Sequence, residues 1–171
     1  KIMITACGSA YYAGCAAKYA IEKLCRVPVI TELASELRYS DPLIDEHTLL
    51  IVLSQSGETA DTIAAMRECQ RRGAKTLAIV NVVGSTIAKI ADWCLYTWAG
   101  PEIAVATTKG YTTQLAALML LVLKVGVVQE RMTGEKLSTL LGQLQELRGQ
   151  LYASLSLDAP IKAMSEHFEY K

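Results

Sequence analysis

The chain has 171 residues, 51 % hydrophobic and 20 % charged, the proportions of a soluble globular domain with a real core. Seventeen basic residues balance seventeen acidic ones, which leaves no electrostatic footprint for nucleic acid. The longest apolar run, Leu115 to Leu123, ends at Lys124, far short of the roughly 20 residues that span a bilayer.

The chain opens directly on an apolar run, Ile2–Ala6, with no signal-peptide pattern. Further strand-length runs follow at 27–32 (with Pro28 early), 48–53, 75–80 and 92–96, and helical patterns lie between them at about 9–25, 33–39, 58–72 and 84–91. Runs without polar alternation are those of strands covered on both faces. Alternating strands and helices imply a parallel sheet with right-handed crossovers. The expected fold is therefore α/β, a three-layer α/β/α sandwich on a five-stranded parallel sheet. After the fifth strand, Gly100-Pro101-Glu102 signals a turn, and Thr107 or Thr108 can cap a long apolar helix reaching about Val128. Thr133 can cap another, along which Leu137, Leu140, Leu141, Leu144, Leu147 and Leu151 recur at helical spacing. That stripe reads either as packing against the domain or as a dimer or interdomain contact. A short helix at about 160–167 ends the pattern. The whole reads as a single domain over 1–171, with a core of about 1–128 and C-terminal helices at about 133–168.

The densest chemistry lies in Ser54-Gln55-Ser56-Gly57-Glu58-Thr59, where the third strand turns into a helix. Free backbone N–H groups and the positive end of the helix meet there, which suits a phosphate. No lysine or arginine lies in the six residues, so an anion would be held by neutral donors. The plain alternative is a helix cap, with Ser56 capping and Glu58 in the first turn. A second loop, Cys7-Gly8-Ser9-Ala10, follows the first strand. With the sheet order 2-1-3-4-5, strands one and three are neighbours and both loops border one crevice at the point where strand order reverses. Cys7 is a small residue at a strand end, or a nucleophile if a basic partner lowers its pKa. Neither G-x-G-x-x-G nor G-x-x-x-x-G-K-[ST] is present in the expected places, so a compact monophosphate is expected before a dinucleotide or triphosphate. Five cysteines without a C-x-x-C pair point to a reduced, cytoplasmic protein, and two histidines, His47 and His167, give a histidine-based zinc site almost nothing to use. Both histidines sit in polar segments. No cofactor or metal is expected.

Four segments together resemble the sugar isomerase (SIS) domain, and most narrowly the first SIS domain of the glutamine–fructose-6-phosphate aminotransferase family. Ala6-Cys7-Gly8-Ser9-Ala10-Tyr11-Tyr12-Ala13-Gly14 is similar to the family's C-G-T-S-Y-H-A-G, and Glu32-Leu33-Ala34-Ser35-Glu36 to its E-x-A-S-E. Leu53 to Thr62 matches its most specific stretch, and Ala99 to Lys109 resembles A-G-P-E-I-G-V-A-S-T-K. The resemblance covers about residues 1 to 168, in order. It implies a flavodoxin-like sheet and a hexose 6-phosphate ligand, fructose 6-phosphate going to glucosamine 6-phosphate. By position, Ser54, Gln55, Ser56 and Thr59 would grip the phosphate, Cys7, Gly8 and Ser9 would line the sugar, and the Val105 backbone would touch it.

Where the family has threonine this chain has Ser9, and where it has serine this chain has Ala10, which loses a hydroxyl. Tyr12 stands where histidine is common and reads as packing. The resemblance also implies partners. The family's isomerising groups lie in a second SIS domain, with a histidine from the other subunit of a homodimer, and its amide-hydrolysing cysteine lies in a glutaminase domain. No catalytic residue is expected on this chain, and Glu102, the one acid–base candidate, is expected to be structural. The chain thus reads as the binding half of a larger aminotransferase, inactive alone. A self-contained SIS isomerase would need its own glutamate and histidine in the crevice. A sugar-phosphate sensor would carry a basic helix-turn-helix, of which there is no sign.

Overall fold

The computed structural model describes residues 1–104 and 106–168. Five strands form one sheet in the order β2-β1-β3-β4-β5. They are β1 (Ile2–Ala6), β2 (Val29–Leu33), β3 (Leu49–Ser54), β4 (Lys75–Val80) and β5 (Trp93–Tyr96), and every pairing is parallel. Among the described residues seven α-helices accompany them: α1 (Ser9–Cys25), α2 (Ala34–Leu37), α3 (Ala60–Arg71), α4 (Thr86–Ile90), α5 (Lys109–Val128), α6 (Gly134–Leu155) and α7 (Asp158–Ser165). The chain divides into two compact units, Lys1–Arg131 and Met132–Lys171.

In the first unit the central strands are apolar on both faces because both faces are covered. Ile2, Ile4, Ile51, Leu53 and Ile79 pack under α1 and α5, while Met3, Leu50, Val52, Ala78 and Val80 pack under α2, α3 and α4. Small residues on α1 let it lie close to the sheet. A Cβ at Gly14 would stand 2.8 Å from Ile4 Cγ2, so any larger residue there would push the helix off the strand. The second strand begins two residues later than the sequence pattern suggests, because Pro28 has no N–H to donate. Its carbonyl still serves the ladder, accepting from the Ile2 N–H at 3.2 Å.

Helix α5 has twenty residues and a mean hydropathy of 1.7 in its most apolar stretch, so it is long and apolar enough to cross a membrane although its unbroken apolar run is short. In this fold Leu118 and Val122 belong to the core beneath α1, and the Cys25 thiol donates to the Val122 carbonyl at 3.4 Å.

The second unit consists of α6, α7 and a closing 3-10 turn, Glu166–Phe168. Thr133 caps α6 as expected, its hydroxyl accepting from the Lys136 N–H at 3.3 Å. Within this unit no residue of α6 is buried: Leu137, Leu140 and Leu144 of the leucine stripe are half-buried and Leu151 is 62 % exposed.

Candidate functional site

The two loops singled out in the sequence lie at the carboxyl ends of β1 and β3, which are hydrogen-bonded neighbours with Thr5 opposite Val52. Strand order reverses between them: the chain goes outward from β1 to β2, then returns past β1 to β3. In parallel sheets this is where ligands bind. The loops are tied together as well, since the Thr62 hydroxyl in the first turn of α3 donates to Cys7 Sγ at 3.6 Å.

The 54–59 turn is held by its own hydroxyls. Ser54 Oγ accepts from the Gly57 N–H at 2.9 Å and lies 3.3 Å from Thr59 Oγ1, and Ser56 Oγ accepts from the Glu58 N–H at 3.2 Å. Gly57 adopts φ 69°, the left-handed region that glycine enters freely. Its small size matters equally, because a Cβ there would fall on Ser85 Oγ and 2.6 Å from Ser85 Cβ. Ser54 and Gly57 are buried, while Gln55, Ser56 and Thr59 are half-buried at the mouth of the turn.

With three hydroxyls available, none caps α3. The N-cap position falls on Thr59, in extended conformation and without a side-chain hydrogen bond to the helix, and Ser56 spends its oxygen within the turn instead. Helix α1 is alike: its N-cap is Gly8, with φ 58° and no side chain to offer. The one-turn helix α2, which starts at this edge after β2, has no side-chain cap either, whereas α4 and α5 are closed by carboxylates of the chain itself. Glu58 Oε1 accepts from the Thr86 N–H of α4 at 2.7 Å, and the Gly57 carbonyl accepts from the Ile87 N–H at 3.0 Å. Glu102 Oε2 accepts from Gly110 N–H at 2.9 Å, Thr108 N–H at 3.1 Å and Thr107 Oγ1 at 3.3 Å, closing α5. The expected cap by Thr107 or Thr108 is therefore replaced by a carboxylate reaching forward from the preceding turn. The Gly110 and Thr108 N–H bonds hold the Glu102 carboxyl below its usual range. An anion drawn to this edge of the sheet meets N–H groups without a side-chain cap at α1 and α3.

The remaining candidates sort by position. Cys7 is half-buried, packs on the α3 side of the sheet and has a hydroxyl, not a base, as its hydrogen-bonding neighbour. Ser9 is exposed at the start of α1, next to Gly8. Ala10 packs against the core beneath α1 and α5. Val105 lies outside the described residues. Tyr12 is not the packing residue expected: it is 65 % exposed and meets Tyr11 edge-on at 5.5 Å between ring centroids. His47 stands in the loop entering β3, at the amino end of a strand about 20 Å long whose other end carries the site. His167 is exposed in the 3-10 turn of the second unit.

Asn81 lines the candidate site and has no counterpart in the sequence expectations. Its side-chain N–H donates to the Gly100 carbonyl at 2.7 Å, and its Oδ1 accepts from the Thr97 hydroxyl at 3.1 Å and the Ala99 N–H at 2.8 Å. It thereby fixes the 97–102 turn as the far wall of a cleft of about 550 Å³, lined by Gln55, Asn81, Trp98 and Glu102 among others. The available signal was an asparagine at the end of a buried strand, immediately before a turn.

Sheet order, the paired loops at its switch point and the 54–59 turn together define a class of protein. The profile of the SIS domain family matches residues 1–124, and the chain belongs to that family. Among its relatives is the glutamine–fructose-6-phosphate aminotransferase (isomerizing) of Symbiobacterium thermophilum, 54 % identical over 166 residues, which are 97 % of this chain and 27 % of that protein. The enzyme of the same name from Caldanaerobacter subterraneus subsp. tengcongensis is 49 % identical over 172 residues, 100 % of this chain and 28 % of that protein. Among solved structures, the C-terminal domain of glucosamine-fructose-6-phosphate aminotransferase from Francisella tularensis superposes with a TM-score of 0.95 at 38 % identity, over 99 % of this chain and 48 % of that one. The chain spans just over a quarter of the length of these two curated relatives.

Proposed function

We propose that this chain is the phosphosugar-binding SIS domain of a glutamine–fructose-6-phosphate aminotransferase, holding fructose 6-phosphate or glucosamine 6-phosphate at the β1/β3 switch point. The carrying observation is that, of the helix ends at this edge without a side-chain cap, α1 and α3 flank the β1/β3 switch point beside hydroxyls and glycines, while α4 and α5 are closed by Glu58 and Glu102. In this reading Ser54, Gln55, Ser56 and Thr59 hold the phosphate, and Cys7, Gly8, Ser9 and Val105 line the sugar. The phosphate is neutralised by N–H dipoles and hydroxyls, so its affinity does not depend on a nearby lysine or arginine.

The parent reaction moves ammonia from glutamine onto fructose 6-phosphate and isomerises the product by proton transfer between C1 and C2. Proton transfer needs an acid or base within hydrogen-bond reach of those carbons. Glu102 is committed to α5 and His47 to the opposite end of β3, so this chain supplies binding while a second SIS domain and a glutaminase domain supply the chemistry. Five unpaired cysteines support a cytoplasmic setting. A homodimer is part of the same reading. The exposed apolar side chains Tyr12, Tyr19 and Leu120, on the packed helices α1 and α5, support it.

Calorimetric titration with fructose 6-phosphate, on the wild type and on Ser56→Ala, tests the site. Losing one hydrogen bond to the phosphate should weaken binding by about 0.5–1.5 kcal/mol, a few-fold to about tenfold. Unchanged affinity in the variant would put the phosphate elsewhere. The chain alone should not convert fructose 6-phosphate to glucose 6-phosphate, and turnover by pure protein would refute the division of labour.

A further inference from the structure

The proposed phosphate loop contains one charged residue, and its sign is wrong for the ligand. A carboxylate at Glu58, directly before the N-cap of α3, would repel a phosphate held by that helix end. The structure gives this carboxylate another task. Glu58 is exposed, and its Oε1 accepts from the Thr86 N–H at 2.7 Å, across the sheet edge at the start of α4. One residue back, the Gly57 carbonyl accepts from the Ile87 N–H at 3.0 Å. Two consecutive loop residues thus occupy two consecutive N–H groups of α4. Ser85, 4 % exposed, packs directly beneath Gly57 at the point where a Cβ would collide. The Gly57 N–H meanwhile turns back to Ser54 Oγ.

We propose that Glu58 is a positioning residue, a latch that ties the 54–59 loop to the first turn of α4 and so sets the hydroxyls and the α3 N-terminus in place before ligand arrives. The inference rests on the phosphosugar reading given above. By accepting from α4, the carboxylate also spends its charge on a second helix terminus, where a negative group is favoured. The Thr86 N–H bond holds the Glu58 carboxyl below its usual range, with Lys89 of α4 contributing from a distance. A pre-set loop does not pay the entropy of ordering when ligand binds, and that entropy would otherwise be taken from affinity.

The test compares Glu58→Ala and Glu58→Gln with the wild type. One readout is affinity for fructose 6-phosphate. The other is amide hydrogen exchange at Thr86, Ile87 and Gly57 without ligand. If Glu58 is the latch, Glu58→Ala loses protection at those amides and binds about tenfold more weakly, while Glu58→Gln, which can still accept from Thr86, recovers most of both. A bystander carboxylate gives the opposite sign: both variants bind phosphate as well as or better than the wild type, because a repelling charge is gone. That result, or unaltered exchange in Glu58→Ala, overturns the proposal. If the wild type binds no hexose 6-phosphate yet Glu58→Ala still loses protection, the phosphosugar reading fails and the latch stands.

Discussion

Replacing Gly57 with alanine would place a methyl group on Ser85 Oγ, in a backbone conformation, φ 69°, that L-residues rarely adopt. Both penalties act on the folded state, so Gly57→Ala should destabilise the protein by about 1–3 kcal/mol, read as a lowered midpoint in urea. A midpoint unchanged from the wild type would mean that the loop is not as tightly floored as the geometry requires. Ser85 offers a converse case. Its hydroxyl is buried and has no hydrogen-bond partner among the described residues, an arrangement that costs stability wherever water is excluded. Ser85→Ala deletes the unpartnered group and keeps the Cβ beneath Gly57. The variant should melt no lower than the wild type, and a drop of several degrees would show that the hydroxyl has a partner in solution.

At the scale of elements, the carboxyl end of α3 is pinned to the loop that leads from α2 into β3 by an ion-pair group. Glu68 receives Arg71 Nη2 and Arg72 Nε, each at 2.7 Å, and Arg72 also reaches Asp41 and the Pro42 carbonyl. Hydrogen bonds from Arg71 and Arg72 hold the Glu68 carboxyl down from its ordinary 4.5 to about 2. A carboxyl depressed in the folded state stabilises that state fully above its unfolded value. The contribution is therefore complete above about pH 4.5 and is lost as pH falls toward 2. Thermal melts between pH 5 and pH 2 should show Glu68→Gln less stable than the wild type at the upper end and converging with it at the lower; parallel curves would contradict this.

Elements were also where the sequence was most and least readable. Buried runs such as Leu49–Ser54 and Lys75–Val80 announce themselves because a strand covered on both faces has no polar alternation to confuse with a helix. The Ser54–Thr59 turn was visible because hydroxyls and a glycine concentrate at a strand-to-helix junction. What could not be read was who bonds whom. Thr108 precedes α5 and looks like its cap, yet Glu102 closes that helix from six residues away. Glu58 looks like ordinary first-turn chemistry for α3, yet it serves α4, 28 residues on. Both depend on which loops the sheet brings side by side, and no local pattern encodes that. The surroundings of α6 were unreadable for a similar reason: the leucine spacing defines an apolar face, not what it meets.

For the whole molecule, the exposed apolar side chains on α1 and α5 predict self-association. Sedimentation equilibrium should give twice the chain mass, and Leu120→Asp, which places a charge on the outer face of α5, should give the monomer while leaving the circular dichroism unchanged. A monomeric wild type would contradict the dimer. The measurement that bears most directly on the central claim is a titration with fructose 6-phosphate followed by backbone amide NMR, with unphosphorylated fructose as control. The account predicts shifts concentrated at residues 54–62 and 7–10 for the phosphate ester and none there for fructose. An absence of shifts at millimolar ester, or equal shifts with fructose, would contradict a phosphate site carried by α1 and α3 of this chain.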